Sequence, residues 1–300
     1  MMQVLVILCW SAAAALLAWY AAGVAQTITY VTLADGRRKE RRLPLSFKLL
    51  LPLAPNLRPM MEGPGMAAAR EKADARLVTA GFEGLLSGWE FLALRVLVPL
   101  CFGIPWIALI HAAASVSPAL AASAPALDVL GVALLAVQPT LWLRKATAQR
   151  QRAILRSLPF VLDLLTLSVE AGMDFMSAMQ RAVEGRTVDE LGEEILRVVR
   201  EIQLGTTRRN ALRTMSRRID LPDMRSVVNA LVQADELGVS IGSILRIQSD
   251  QIRQRRFDRA ERLANEAPVK LLGPLLLFIF PAVFLVLLGP VLHRLFLSLR

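Results

Sequence analysis

Residues 271–292 read LLGPLLLFIFPAVFLVLLGPVL, a run without a single charged side chain. A helix needs roughly 20 apolar residues to cross a hydrocarbon core ~30 Å thick, so this run is long enough to span a bilayer. Pro274, Pro281 and Pro290 would break a helix in water. Inside a membrane bundle neighbouring helices satisfy the freed carbonyls, and the stretch predicts a kinked span.

Three earlier stretches have the same character: 4–25, 91–112 and 124–143. The first has no charge and no basic residue before it, which predicts an uncleaved anchor rather than a secretory leader. The totals agree, with 55% hydrophobic residues and a mean hydropathy of +0.47. A soluble core of this size needs less apolar material. Cys9 and Cys101 both fall in apolar runs and read as small buried hydrophobes, not as a disulfide or metal pair. His111 and His293 sit at the ends of apolar segments, far apart in the chain. Trp89, Trp106 and Trp142 lie where an interfacial aromatic belt would place them.

Orientation follows from Lys and Arg. Residues 26–90 hold ten, including Arg37, Arg38, Lys39, Arg41 and Arg42, and residues 144–270 hold twenty-two. The hairpin between the second and third spans holds none. The positive-inside rule then predicts both long segments in the cytoplasm and both termini on the periplasmic side. The net charge of +10 is a bilayer signature, and nucleic acid is not needed to explain it. Two charges fall within spans. Arg95 can snorkel to the headgroups, and Asp128 reads as an interfacial carboxylate or, more sharply, as an ion relay.

Residues 144–270 carry helical periodicity with clear punctuation. Ile154, Leu158, Val161, Leu162 and Leu165 recur at helical spacing before Gly172, and Asp174 can cap the next helix. Thr187 with Glu190 forms an expected capping box, Gly205 ends that helix, and Thr207 opens another. Pro222 begins a fifth helix that stops at Gly238, and Ser240 opens a long sixth. The expected fold class is all-α: four transmembrane helices plus a cytoplasmic antiparallel six-helix bundle. The partition is a first anchor at 1–25, a basic cytoplasmic linker with short helices at 26–90 and a transmembrane hairpin at 91–143. The helical bundle follows at 144–270, and the final span with a short tail at 271–300.

Chemistry is sparse. The string 238–242 lacks the Lys that a phosphate-cradling loop needs, and residues 144–270 contain no His to act as a base. No catalytic residue, cofactor or metal site is expected. Glu193 and Glu194 read as a solvated helix face. Asp235 and Glu236 are more pointed, because the macrodipole disfavours acids at a helix C-terminus. A basic neighbour, an ion or a partner protein must hold them. Arg208, Arg209, Arg213, Arg217 and Arg218 form a basic face, suited equally to anionic headgroups and to an acidic partner. The candidate partner-binding residues are therefore Asp235, Glu236, Gly238, Arg208, Arg209, Arg213 and Arg217.

Several strings, in order, resemble the type II secretion F domain: Leu158-Pro159-Phe160, Glu170-Ala171-Gly172-Met173, Asp220-Leu221-Pro222, and Asp235-Glu236-Leu237-Gly238 followed by Ile241-Gly242-Ser243. The tail Ala267-Pro268-Val269-Lys270, then Phe278-Ile279-Phe280-Pro281, is similar to TadC-like platform proteins of Tad (Flp) pilus systems. The resemblance implies an inner-membrane platform, not an enzyme, that couples a cytoplasmic secretion ATPase to pilin extraction and assembly. It places Glu236 and Gly238 in the family's signature turn. It further implies a TadB-like sibling, pilin subunits and membrane lipids as partners, in homo- or hetero-oligomers. The alternative is a small polytopic transporter or channel using Asp128 and Arg95.

Overall fold

The computed structural model describes residues 30–32, 38–41, 43–115, 118–184 and 189–298. The expected first span at 4–25 and the expected cap Thr187 lie outside them. The described residues are helical apart from one short antiparallel ladder, β1 (Tyr30–Thr32) with β2 (Arg38–Glu40), which pairs Tyr30 with Glu40. Three helices are long and apolar enough to cross a membrane: Gly88–Ala114, Ala121–Glu170 and Ile241–Pro290.

The segment expected to be a basic linker carries a core of its own. Helix α1 (Leu45–Leu50), a 3-10 turn at Leu51–Leu57, α2 (Arg58–Met61), a second 3-10 turn at Pro64–Met66 and α3 (Ala67–Ala80) follow one another. They bury Phe47, Leu50, Leu77 and Phe82 against the first turns of α4 (Gly88–Ala114) and against Leu143. Trp142 packs edge-on to Phe47 at 4.8 Å and lies 5.0 Å from Phe82. Its indole ties the helix after α4 to this layer. Ser87 and Glu90 make the capping box that starts α4.

The hairpin closes through α5 (Pro118–Glu170), a single helix of 53 residues that begins in the apolar stretch and ends deep in the polar helical domain. The expected boundary near residue 143 is therefore mid-helix. At about 1.5 Å per residue, the part from 143 to 170 extends about 40 Å beyond the apolar half. Helices α4 and α5 approach closely where Trp106 lies over Gly131; a Cβ at Gly131 would come 2.1 Å from the indole nitrogen.

Five further helices share a core with the distal half of α5: α6 (Phe175–Val183), α7 (Glu190–Gln203) and α10 (Ile241–Pro274) pack on it directly, and α8 (Arg208–Ile219) and α9 (Pro222–Leu237) pack across α7 and α10. Each contributes its periodic apolar residues to one core, among them Leu158, Met179, Leu191, Leu212, Val228 and Leu245. Helix α7 begins at Glu190, capped by Asp189, whose carboxylate accepts from Gly192 N–H. The buried residues of α10 end at Ile252. Arg255 and Arg256 still reach Asp223 and the Leu155 carbonyl, and the helix then continues through a π turn at Leu275–Ile279 into α11 (Phe280–Ser298). Pro274 and Pro281 flank that wider turn, which relieves the clash of the Pro281 ring with the Leu277 carbonyl four residues before it.

Candidate partner-docking face

Three helix ends meet at the end of the helical domain farthest from the apolar stretches. Helices α5, α7 and α9 each stop at a glycine in the left-handed region: Gly172 (φ 89°), Gly205 (φ 98°) and Gly238 (φ 67°). Each turn is closed by the same long backbone bond, Met173 N to Ser168 O, Thr206 N to Glu201 O and Val239 N to Ala234 O, all 3.0 Å. This is the Schellman closure, which satisfies carbonyls that a helix end leaves orphaned. The next helix follows at once, from Asp174, Thr207 or Ser240, and the first two of these accept a backbone N–H as side-chain caps.

These turns carry apolar side chains that point at water. Leu204 is 79% exposed and Leu237 77%, with Met173 and Val239 beside them. Around them runs a lacing of ion pairs. Arg208 reaches Asp174 at 3.9 Å and Asp235 at 3.6 Å, and its guanidinium lies 5.5 Å from the Phe175 ring centre. Arg209 pairs with Glu236 at 3.2 Å, and Arg213 with the same carboxylate at 3.7 Å.

The acids at the end of α9 are thus held by a basic neighbour. Because α8 and α9 run antiparallel, Asp235 and Glu236 also lie beside the positive N-terminus of α8, which offsets their unfavourable place on α9. The lacing pairs Arg208, Arg209 and Arg213 with Asp174, Asp235 and Glu236, so the charges balance around the leucines. Half-exposed pairs of this kind contribute about 0–1 kcal/mol each. A balanced rim around exposed apolar residues suits a protein surface better than a polyanion.

Two arginines of the expected basic face stand apart from this site. Arg217 is exposed and donates to Thr214 Oγ1 at 3.2 Å, with no tie to Asp235 or Glu236. Arg218 points the other way, into a buried ionic junction. It donates to Glu194 at 2.8 Å and to Glu201 at 2.7 Å, and Glu194 also accepts from Arg150 at 2.8 Å. Arg150 in turn donates to the carbonyls of Val78 and Thr79 at the end of α3, and Arg41 pairs with Glu190 and Glu193. The solvated acidic face expected at Glu193 and Glu194 is a misreading, since Glu194 is 3% exposed. Burial favours the neutral form of its carboxyl, but Arg218 and Arg150 outweigh that and hold its pKa below the ordinary value. The signal was present in the sequence: Leu191, Glu194, Val198 and Glu201 recur at helical spacing on one stripe of α7.

In the hairpin, Trp106 donates to Leu127 O at 3.3 Å, and His111 Nδ1 lies 3.6 Å from Asp128. Arg95 is exposed near the start of α4, away from that pair. Among the described residues no group of three or more His, Cys, Asp and Glu side chains is placed to hold a metal ion.

Residues 161–289 match the family model for type II secretion system (T2SS), protein F. No curated protein and no solved structure matches the chain. The match supports the family named from the sequence motifs, and it points to a membrane platform protein of a type II secretion or type IV pilus system. The F-domain match covers all three distal turns, the Glu194–Arg218 pair and most of the last apolar helix. Arg41, Gly81 and Arg150 precede it. The ionic junction therefore fastens the F domain to chain outside the match.

Proposed function

We propose that this chain is an inner-membrane platform protein of a Tad/Flp (type IVb-like) pilus assembly or secretion machine. In this reading four spans, with both termini periplasmic, hold an antiparallel six-helix bundle in the cytoplasm. A secretion ATPase docks on the distal turns, and its motion passes down α5 and α10 to pilins in the bilayer, beside a TadB-like sibling. The observation that carries it is the placing of Leu204 and Leu237, exposed and rigidly mounted, about 40 Å from the apolar half of α5. Long continuous helices transmit displacement, and the left-handed turns hold the contact residues without long loops.

The test is co-purification of the detergent-solubilised chain with the secretion ATPase at physiological salt. Leu204→Glu and Leu237→Glu are expected to abolish it and to abolish pili, while thermal stability stays within about 0.5 kcal/mol because both sites are surface positions. Unchanged co-purification in the double variant would overturn the docking site, and no binding by the unaltered chain would overturn the partner.

A further inference from the structure

One stripe of α10 changes character where the helix leaves the bundle. Alongside the bundle it carries Arg246, Asp250 and Arg253; beyond Ile252 the same stripe carries Phe257, Ala260, Ala264, Ala267 and Leu271. From Phe257 the spacing is three, four, three, four, which is the seam of a heptad repeat. These positions are all exposed, and Phe257 and Leu271 are each more than two-thirds so. The opposite side carries Asp258, Arg259, Arg262, Asn265 and Glu266, as the outer face of a paired helix does. An isolated charged helix of this length is marginal in water, so the stripe calls for a partner.

The geometry points to a second copy of this chain as that partner, joined through a parallel, in-register pairing of α10 along Phe257, Ala260, Ala264, Ala267 and Leu271. Two observations select this occupant. First, the helix runs directly into an apolar span, so two copies share one orientation in the bilayer and meet parallel about an axis along the membrane normal. Second, the flanks are self-complementary. With Phe257 and Ala260 on the seam, Arg256 and Glu261 occupy the flanking positions that meet across a parallel pair, and two-fold symmetry makes that contact twice. Arg256 donates to the Leu155 carbonyl within its own chain, and a guanidinium has five donors, so it can serve both. Pro268 falls on the flank, leaving the seam to alanines whose small side chains let two backbones approach. The pairing depends on the stripe and the apolar helix, not on the platform reading, and pilus assembly is not among its readouts.

The test uses the full chain in native membranes with Cys9 and Cys101 replaced by Ala. Cysteine is introduced singly at Ala260, Ala264 or Ala267, and for comparison at Asp258, Arg262 or Asn265. Mild oxidation is expected to give a covalent dimer from the first set and loss of that band in the second. In the Ala264→Cys background, Arg256→Glu should reduce the dimer and Arg256→Glu with Glu261→Arg should restore it. Dimer of equal yield at both sets, or at neither, overturns the proposal. A product of another mass shows that a different chain occupies the seam and also overturns it. Failure of the paired charge reversal to restore the band rejects the parallel register.

Discussion

Arg150 of α5 and Glu194 of α7 meet at 2.8 Å in a site that leaves each about 5% of its side chain or less in contact with solvent. Two isolated charges at that depth would be unstable, and neither is isolated: Arg218 holds the other oxygen of Glu194, and the carbonyls of Val78 and Thr79 hold Arg150. Removing one member leaves its partners buried and uncompensated. Glu194→Ala should therefore cost about 3–5 kcal/mol, read as denaturant unfolding of the detergent-solubilised chain. Replacing Arg150, Glu194 and Arg218 together with apolar residues of similar volume should restore most of that loss. A triple variant no more stable than Glu194→Ala would mean that the junction's polar contacts, not its mere charge balance, hold the layers together.

The same carboxylate sets an acid response. Its folded pKa lies below the ordinary value of 4.5, chiefly because Arg218 and Arg150 outweigh the opposing effect of burial. A depressed folded pKa means stability that is fully present above the unfolded value and is lost as pH falls through the folded one. The stability difference between the unaltered chain and Glu194→Gln should thus be constant from neutral pH down to the unfolded value and shrink below it. A difference that grows on acidification would contradict the assignment.

Much of this architecture was legible because it depends on local chemistry. Gly172, Gly205 and Gly238 announced three helix ends, and Asp174, Thr207 and Ser240 announced the starts that follow them. The pairing of Asp235 and Glu236 with a basic neighbour was one of three open readings, and only the antiparallel contact of α8 with α9 decides it. Glu194 was misread for a different reason. A carboxylate on an apolar stripe is invisible as a core residue until its partners are known, and Arg150 and Arg218 come from 44 and 24 positions away. The packing of Trp142 on Phe47 and Phe82 was not legible either, since an indole near a span end carries no mark of its ring partners in the sequence.

The closest helix crossing of the hairpin yields its own test. A Cβ at Gly131 would fall 2.1 Å from Trp106 Nε1, so Gly131→Ala must expel the indole and break its bond to Leu127 O. Overpacking of this kind costs typically about 1–3 kcal/mol. Trp106→Ala removes the obstacle, and in its background Gly131→Ala should be nearly neutral. The double-mutant cycle, read from thermal unfolding, should show coupling of about 1–2 kcal/mol. Additive effects would mean that the two helices part without regard to this contact.

Two glycines with nearly the same backbone angle separate strain from crowding. Gly172 has φ 89° and open space where a Cβ would stand, whereas Gly81 has φ 81° and a Cβ there would lie 2.9 Å from Arg150 Nε. Alanine in the left-handed region costs about 1–2 kcal/mol whatever surrounds it. Gly172→Ala should show that cost alone. Gly81→Ala adds the displacement of Arg150, which cannot shift without loosening its grip on Glu194 and on the last carbonyls of α3. Its loss should exceed that of Gly172→Ala by ~1 kcal/mol or more, on the scale of about 1–3 kcal/mol for stranding a buried polar partner. In a Glu194→Ala background, where the junction is already broken, the excess should fall away and leave the two alanine variants equal. Persistence of the excess there would show that Gly81 is required by its own turn and not by the guanidinium above it.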